Sequence, residues 1–251
     1  GLECGYILAK NGMKVTVLER EAQVGGCLQT FRRGAALFDT GFHYVGALGE
    51  GESLHTLFSY FDLMSLPWKK LDEDCFDEVV IGEDAFAFAN KHQRFYERMS
   101  ARFPKEREGL KKYVDFLKQV GDHIFDSFNL QNEGTFTNSL FARSAYEFLN
   151  ETIKDPLLRK VLSGTSLKME LNAPTLPLYT FAQINDSFIR SAWRLRGGGM
   201  QIADKLVGGI EAMGGEVKTR AIVTYIKEED GKVVGVTIND EDYLEAHWVI
   251  S

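Results

Sequence analysis

The sequence predicts an α/β fold on the basis of three observations. The chain opens with a helix pattern and then an apolar strand that ends on Glu19. A long, mostly helical region with one hairpin follows, and the last part returns to alternating helix and strand. These features predict a first domain built from residues 1–70 and 191–251, with a second, α+β domain inserted at residues 71–190.

The first element is a helix over Leu2–Lys10, whose small residue Gly5 shares a face with leucines and lets the helix sit close to a sheet. Gly12 predicts its end, because glycine accepts the left-handed conformation of a helix C-terminus. The segment Met13–Leu18 reads MKVTVL, which is typical of a buried strand. Glu19 stands at the carboxyl end of that strand.

A helix, a short turn, a strand and an acidic strand end form the second half of a βαβ nucleotide-binding unit. Gly1 stands where such a unit has the last glycine of its phosphate turn, the glycine that lets the helix pack against the sheet. Glu19 stands at the distance of the residue that binds a ribose hydroxyl. An ordinary helix–strand pair of an α/β domain gives the same pattern, so these residues leave both interpretations open.

Two longer stretches are more specific. They read GLECGYILAKNGMKVTVLEREAQVGGCLQTF and FDTGFHYVG. Together they resemble the flavoprotein family of phytoene desaturases, carotenoid isomerases and all-trans-retinol 13,14-reductases (retinol saturases), with bacterial proteins of the retinol saturase type most similar. The resemblance implies a Rossmann-like FAD-binding domain, lacking its first strand here, with an inserted substrate-binding domain.

The resemblance also implies which residues contact FAD. Family members grip the cofactor with the glycine-rich turn, the acidic strand end, a glycine doublet and the segment that returns to the flavin. Many relatives carry Arg after the doublet, and Cys27 stands there instead, which removes one phosphate-contacting charge. The implied contacts are Gly1, Glu19, Arg20, Gly25, Gly26, Cys27, Gly41, His43 and Val223.

The catalytic residues are not assigned by the sequence. His43 is the one titratable side chain in FDTGFHYVG, and it is a candidate proton donor. A structural role, or a hydrogen bond to the cofactor, is the alternative for the same histidine.

Composition excludes several classes of function. The formal net charge of −7 argues against general nucleic-acid binding, which needs a basic field. No apolar run approaches the roughly 20 residues of a membrane-spanning helix. The three cysteines are widely spaced, which favours a reducing compartment without disulfides, and the sequence shows no metal-ligand spacing. We expect a cytoplasmic protein, with peripheral membrane contact as an added feature.

The elements of the middle region follow in order. A helix pattern contains Leu54, Leu57, Phe58, Phe61 and Leu63, and it reads either as core-facing or as an apolar lip at a lipid entry port. A hairpin is predicted around residues 82–84, and a long helical region is divided by Pro104. The segment LQNEGTFTNS is predicted as a loop. Further helices are expected at SAYEFLNETI and DPLLRKVLSG, the latter with Asp155 as N-cap and Pro156 as first residue.

The segment from residue 172 to residue 199 is aromatic and ends in three glycines. The resemblance implies that some of its aromatic residues line a hydrophobic tunnel, and ordinary core packing is the alternative for each. Its arginines either meet a phosphate or face solvent. The aromatic residues are Tyr179, Phe181, Phe188 and Trp193, and the arginines are Arg190, Arg194 and Arg196.

The last part predicts one helix, from Met200 to a stop at residues 214–215, and three strands. The strands are expected at Glu216–Lys227, Lys232–Ile238 and Tyr243–Ile250, with a hairpin turn at Asp230-Gly231. In the family that the chain resembles, a V-x-x-I pattern in the first of these strands runs beside the adenine of FAD. Val223 and Ile226 match that pattern.

The predicted function is that of an FAD-dependent oxidoreductase acting on a hydrophobic polyene or isoprenoid by saturation, desaturation or isomerisation. NAD(P)H is a candidate electron donor. Three alternatives stay open: an amine-oxidase or protoporphyrinogen-oxidase type of flavoenzyme, an enzyme that uses only NAD, and a non-enzymatic flavin- or lipid-binding module. The glycine doublet and FDTGFHYVG argue against the NAD enzyme.

The resemblance further implies that the gene product continues in both directions. We expect an apolar strand with the first part of the glycine-rich turn before Gly1, and a segment that closes over the flavin after Ser251. On that expectation, residues 1–251 alone would bind FAD poorly and tend to aggregate.

Overall fold

A computed structural model describes residues 1–125, 135–170, 172 and 174–251. The chain divides into two compact units. Unit 1 contains residues 1–43, 58–67 and 195–251, and unit 2 contains residues 44–57 and 68–194.

The helices are α1 Leu2–Lys10, α2 Ser53–Tyr60, α3 His92–Arg102, α4 Arg107–Asp122, α5 Thr135–Phe141, α6 Ala145–Thr152, α7 Pro156–Leu162, α8 Leu178–Arg190 and α9 Met200–Ala212. The strands are β1 Thr16–Leu18, β2 Thr30–Arg33, β3 Ala36–Asp39, β4 Val45–Gly46, β5 Trp68–Lys70, β6 Asp77–Ile81, β7 Asp84–Phe88, β8 Ala192–Leu195, β9 Glu216–Lys218, β10 Val223–Glu229, β11 Lys232–Ile238 and β12 Asp242–Glu245.

Unit 1 is built on a parallel pair of strands, β1 and β9, with helix α1 packed against them. The close approach of helix and strand lies at Gly5, where an added Cβ would stand 2.7 Å from Val17 Cγ2 and 3.3 Å from Ile210 Cδ1. At Gly1 the nearest atom to an added Cβ is Val17 Cγ1 at 3.8 Å, an ordinary contact. The close packing predicted for the Gly5 face is therefore confirmed, whereas the packing role also predicted for Gly1 is not seen there.

Three strands of unit 1 differ from the predicted ones. Strand β1 covers only the last part of Met13–Leu18. The predicted strand Glu216–Lys227 is two strands, because β9 pairs in parallel with β1 whereas β10 pairs antiparallel with β11. The chain turns between them at Arg220, which has φ +55°. The predicted strand Tyr243–Ile250 is also shorter, since β12 ends at Glu245.

The antiparallel sheet β10-β11-β12 completes unit 1. The predicted hairpin turn is confirmed: Asp230 and Gly231 have φ values of +50° and +72°, as a two-residue turn between twisted strands requires. Val236 and Ile238 of β11 are buried, and Leu18 at the end of β1 packs against the same small core.

Unit 2 is mainly helical and has a large aromatic core. The β6–β7 hairpin is confirmed, and Pro104 separates α3 from α4 as predicted. Leu110, Val114, Leu117 and Gly121 form the buried face of α4, while Ile124 lies beyond the end of that helix.

Helices α5 to α7 follow the sequence in part. Ser144 and Asp155 cap α6 and α7, and the Asp155 carboxylate accepts hydrogen bonds from the backbone N–H groups of Leu157 (2.8 Å) and Leu158 (3.3 Å). The prediction of a loop at LQNEGTFTNS is wrong from Thr135 onward, because α5 begins there. Residues 130–134 of that loop lie outside the described residues.

The apolar residues around α2 divide into two groups. Phe58, Phe61 and Leu63 are buried, and the Phe61 ring lies edge-on to Tyr6 with centroids 5.3 Å apart. Leu57 is 45% exposed. The core-facing interpretation is therefore correct for three of these side chains and does not describe Leu57.

Two of the four aromatic residues considered for a tunnel wall belong to the core. Phe181 and Phe188 are 0% and 4% exposed and pack within the main core of unit 2, and Phe181 also lines a cavity of that unit. Tyr179 and Trp193 are half-buried, and the Trp193 indole N–H donates to Ser191 Oγ at 2.9 Å.

Arg190 is half-buried, and its guanidinium is paired with two carboxylates. Its Nε donates to Asp186 Oδ2 at 2.5 Å, and its Nη2 donates to Asp122 Oδ1 at 2.6 Å. His92 Nε2 lies 2.7 Å from the other oxygen of Asp186. The Asp186 residue is 1% exposed, so these bonds compensate a buried charge.

A second polar cluster in unit 2 contains Tyr44, Asp77 and Lys168. The Tyr44 hydroxyl donates to Asp77 Oδ2 at 2.5 Å, and Lys168 Nζ donates to the same oxygen at 2.7 Å. Burial alone would raise the pKa of Asp77. The hydrogen bonds from Lys168 and Tyr44, with the Lys168 charge, outweigh burial and hold that pKa below its usual range.

We expect Asp77→Asn to remove part of the acid dependence of stability. A carboxyl whose pKa is lowered by folding stabilises the protein above its unfolded pKa of about 3.9, and this contribution disappears as pH falls through the folded pKa. The substitution should cost about 1.5–3 kcal/mol at neutral pH, as for a hydrogen bond to a charged group, and much less near pH 2. Urea unfolding across pH measures this.

The matched control is Asp84→Asn, because Asp84 pairs with Arg102 at 3.0 Å but its side chain is 61% exposed. That exposed pair should contribute at most about 1 kcal/mol. Equal effects of the two substitutions at every pH would contradict the role of Asp77.

Among the described residues, no helix is both long enough and apolar enough to cross a bilayer.

Candidate cofactor site

The carboxyl end of β1 is the first part of the candidate site. Glu19 follows β1 directly, and its backbone N–H donates to Lys218 O at 2.8 Å while its carbonyl accepts from Ala221 N at 2.9 Å. Its Oε1 accepts from Glu21 N at 2.8 Å. Its other oxygen, Oε2, has no hydrogen-bond partner among the described residues, and it can accept a bond from a ligand hydroxyl.

Arg20 is the next of the predicted contacts, and it is exposed. Its side chain is 76% exposed, and its Nε lies 3.1 Å from Glu21 Oε1. The structure therefore places Arg20 next to Glu19 in sequence but in a solvent-exposed ion pair.

The glycine doublet is the second part of the site, and its two residues differ. Gly25 has φ +100°, and an added Cβ would stand 3.0 Å from Ala203 Cβ of α9, so the close approach of α9 excludes a side chain there. Gly26 has φ +51°, and an added Cβ would meet nothing within 4 Å. The space at Gly26 is open, as it must be if a cofactor passes close to the backbone.

Cys27 and Gly41 lie together beside the doublet. Gly41 N donates to Cys27 O at 3.2 Å, and an added Cβ on Gly41 would be 3.3 Å from Cys27 Cβ. Both residues are exposed, as is His43 two residues further along. The structure thus gathers Gly25, Gly26, Cys27 and Gly41 in one short stretch of surface.

Asp39 holds the start of α9 near this stretch, and the sequence did not single it out. Its Oδ1 accepts from Gly199 N at 2.7 Å. Gly198 has φ +91°, and an added Cβ there would stand 2.7 Å from Thr30 Cγ2. The sequence signal for this contact was the run of three glycines before the predicted helix, because glycines permit a close approach of the backbone.

Gly1 and Val223 are the remaining predicted contacts. Gly1 is the N-cap of α1 and offers no side-chain bond, so the first backbone N–H groups of that helix have no acceptor among the described residues. Such groups attract anions. Val223 begins β10 and is 41% exposed, two residues after the contact between Ala221 and Glu19.

A polar cavity of about 460 Å³ adjoins the carboxyl end of β9. Lys218, Arg220 and Asn239 line it. Arg220, Asn239 and Asp240 have φ values of +55°, +55° and +62°. Asn239 and Asp240 form the turn between β11 and β12, where Asn and Asp tolerate this conformation, whereas it costs energy for Arg220. Sequence periodicity carries no signal for these three residues.

The family described as flavin containing amine oxidoreductase matches residues 1–251. Curated relatives include all-trans-retinol 13,14-reductases from Danio rerio (30% identical over 278 residues, covering 100% of this chain and 45% of the relative) and Homo sapiens (25% over 259 residues, 95% and 42%). A chloroplastic prolycopene isomerase from Daucus carota is 22% identical over 269 residues, covering 100% of this chain and 44% of that protein. The chain spans about half the length of the curated relatives it matches.

Solved structures show the same fold. An oxidoreductase from Methanosarcina mazei matches with a TM-score of 0.69 at 20% identity, covering 98% of this chain and 55% of that one. Cyclohexylamine oxidase from Brevibacterium oxydans matches with a TM-score of 0.60 at 18% identity, covering 98% and 54%. The fold predicted from the sequence, the α/β fold of an FAD-binding protein, is confirmed.

Proposed function

The chain belongs to the family of flavin-containing amine oxidoreductases, and from this premise we propose that the protein is an FAD-dependent oxidoreductase that saturates a double bond of a hydrophobic polyene or isoprenoid. Four relatives named as all-trans-retinol 13,14-reductases support saturation, because they are 25–30% identical to this chain, whereas the prolycopene isomerases and a relative named as an inactive all-trans-retinol 13,14-reductase are each 22% identical. Isomerisation or desaturation would use the same site with a different electron balance.

The observation that carries the cofactor part of the proposal is the open backbone at Gly26, which follows Glu19 with its unpaired Oε2. FAD, when bound, supplies hydride transfer. Glu19 would bind a ribose hydroxyl, Gly26 would leave room for the cofactor, and the N–H groups at Gly1 would face a phosphate. Val223 would present its backbone to the adenine, with Arg20, Cys27 and Gly41 at the margin of the site.

His43 is proposed as the proton donor. Saturation adds one hydride and one proton to a double bond, so a titratable group has to deliver the proton. His43 is exposed in unit 1 and belongs to the segment that the resemblance brings to the flavin. A hydrogen bond to the cofactor is the alternative role for this side chain.

The partners of the reaction complete the proposal. NAD(P)H is the proposed electron donor, and the proposed substrate is a hydrophobic small molecule. We propose no nucleic-acid partner, in line with the net charge of −7. Peripheral contact with a membrane, which would supply such a substrate, stays a prediction.

Flavin absorbance under anaerobic conditions tests the function and separates it from amine oxidation. We expect that a polyene alcohol such as retinol reoxidises the chemically reduced protein and gains two hydrogens, and that a primary amine leaves the oxidised protein unchanged. Reduction of the oxidised protein by the amine would contradict the proposal. If the double-bond geometry of the polyene changes and the reduced flavin is not reoxidised, the protein is an isomerase instead.

We expect Glu19→Ala to weaken FAD binding. The substitution removes the carboxylate oxygen available to the ribose, which should cost about 1–3 kcal/mol, or roughly 5- to 150-fold in the dissociation constant. Titration of the flavin-free protein with FAD measures the effect. Glu21→Ala is the control, since Glu21 lies in the same turn but pairs with exposed Arg20. If the wild type and Glu19→Ala bind FAD with equal affinity, Glu19 does not contact the cofactor.

A further inference from the structure

Unit 2 contains an apolar cavity that no part of the proposed cofactor site uses. Its volume is about 440 Å³, and helices α6, α7 and α8 line it. Leu149, Leu176 and Phe181 form its interior and are 5%, 4% and 0% exposed. Cavities of a few hundred Å³ with mostly apolar walls are the usual sites for small molecules.

The mouth of this cavity is apolar as well. Tyr146 on α6 and Leu167 just after α7 both line the cavity, and they are 55% and 78% exposed. Large apolar side chains at an open mouth extend the apolar surface from the interior to solvent. The cavity therefore suits a ligand whose apolar body runs from the interior toward the surface.

Two cations stand beside the apolar wall. Arg159 Nη1 donates to the carbonyls of Ile153 (2.9 Å) and Lys154 (3.3 Å), which fixes the guanidinium. Its Nε and Nη2 have no hydrogen-bond partner among the described residues. Lys160 also lines the cavity, and its ammonium has no ion-pair or hydrogen-bond partner in the described part of the chain.

One carboxylate balances these charges in part. Glu170 lines the same cavity, and its Oε1 already accepts a hydrogen bond from Asn172 N at 2.9 Å. Glu170 Oε2 remains open among the described residues and the carboxylate keeps its charge, so Arg159 and Lys160 against Glu170 leave one net positive charge, which makes the cavity complementary to an anionic head group. The fixed planar guanidinium of Arg159 is suited to a carboxylate.

We propose that this cavity binds an amphipathic carboxylate, a long-chain fatty acid being the simplest case, with the chain against Leu149, Leu176 and Phe181 and the head group at Arg159 and Lys160. The site lies within unit 2, and the ligand proposed for it differs in chemistry from FAD and from an uncharged polyene alcohol, because it carries a carboxylate. The proposal does not depend on the proposed reaction.

The test is direct binding of a dansyl-labelled saturated fatty acid to the purified protein, followed by dansyl fluorescence. The labelled fatty alcohol of equal chain length is the uncharged probe. Lys160→Glu reverses the exposed charge at the cavity, and Lys154→Glu makes the same change at an exposed lysine outside it. Asn150→Trp, at an exposed position on α6, narrows the cavity without altering the charge.

We expect saturable binding of the labelled acid. Lys160→Glu should raise its dissociation constant about tenfold or more, as for reversal of a nearby charge, while Lys154→Glu should change it less than about threefold. The alcohol should bind Lys160→Glu and the wild type alike, and Asn150→Trp should weaken both probes.

Three results would overturn the proposal. Absence of saturable binding would exclude the site. Unchanged binding of both probes to Asn150→Trp, with its circular dichroism intact, would place them elsewhere. Unchanged binding of the acid to Lys160→Glu would show that the charges do not select a carboxylate.

Discussion

Gly26→Val is expected to yield a folded protein without FAD. Gly26 lies at the start of a short turn that packs against α9, yet its own Cβ direction meets no protein atom within 4 Å. A valine there does not collide with the protein, so the fold should persist. It would occupy the space through which the cofactor is proposed to pass, and we expect the flavin content to fall below about a tenth of the wild type, a loss of at least 1.4 kcal/mol in binding.

Gly34→Val is the matched control. Gly34 has φ +58°, against +51° for Gly26, and an added Cβ at Gly34 also meets nothing within 4 Å. A left-handed conformation costs a residue with a Cβ about 1–2 kcal/mol at either position, so thermal unfolding of the flavin-free variants should be similar. Flavin loss in both variants, or in neither, would show that Gly26 serves only the turn.

Gly121→Ala is expected to destabilise unit 2 by about 3–5 kcal/mol, the cost of disrupting a buried charge pair. An added Cβ at Gly121 would overlap Asp186 Oδ2 and stand 3.1 Å from Arg190 Nη2. Asp186 cannot move aside cheaply, because its two oxygens are held by His92 and Arg190. Chemical unfolding measured against the wild type gives the change in stability.

Gly208→Ala makes the same change in the middle of α9, where an added Cβ meets nothing within 4 Å. There alanine should stabilise the protein by about 0.5–1 kcal/mol, since glycine is the poorer helix residue. If Gly121→Ala is also neutral or stabilising, the contact between α4 and the buried aspartate does not determine the stability of unit 2.

Local sequence patterns were enough for the elements that depend on local signals. Helix α1 ends where Gly12 predicts, Pro104 separates two helices, and Asp155 caps α7. The turn at Asp230-Gly231 was predicted for the same reason. In each case the residue's own conformational preference decides the structure.

Features that depend on distant partners were not predictable in this way. The strand expected at Glu216–Lys227 reads as one continuous stretch with strand-forming residues, and only its pairing with β1 on one side of Arg220 and with β11 on the other divides it. Arg190 was expected at a phosphate or in solvent. The i,i+4 spacing from Asp186 was a local signal for one of its ion pairs, but its second partner, Asp122, lies on α4 and is not visible from the sequence around Arg190.

The candidate site shows the same division. The sequence pointed to the doublet Gly25-Gly26, yet the difference between a glycine required by α9 and one that faces open space is visible only in three dimensions. Gly5 and Gly1 differ in the same way. Side chains of β1 and α9 leave no room for a Cβ at Gly5, whereas a Cβ at Gly1 would make only an ordinary contact with β1. Asp39 was missed since its role depends on the start of α9.

The central claim is that unit 1 binds FAD, and the visible absorption spectrum of the purified full-length gene product tests it most directly. We predict the absorption bands of an oxidised flavin, their loss on anaerobic reduction, and the release of FAD on denaturation, identified by chromatography and mass. A colourless protein that remains without flavin after incubation with FAD, or that releases NAD instead, would contradict the account.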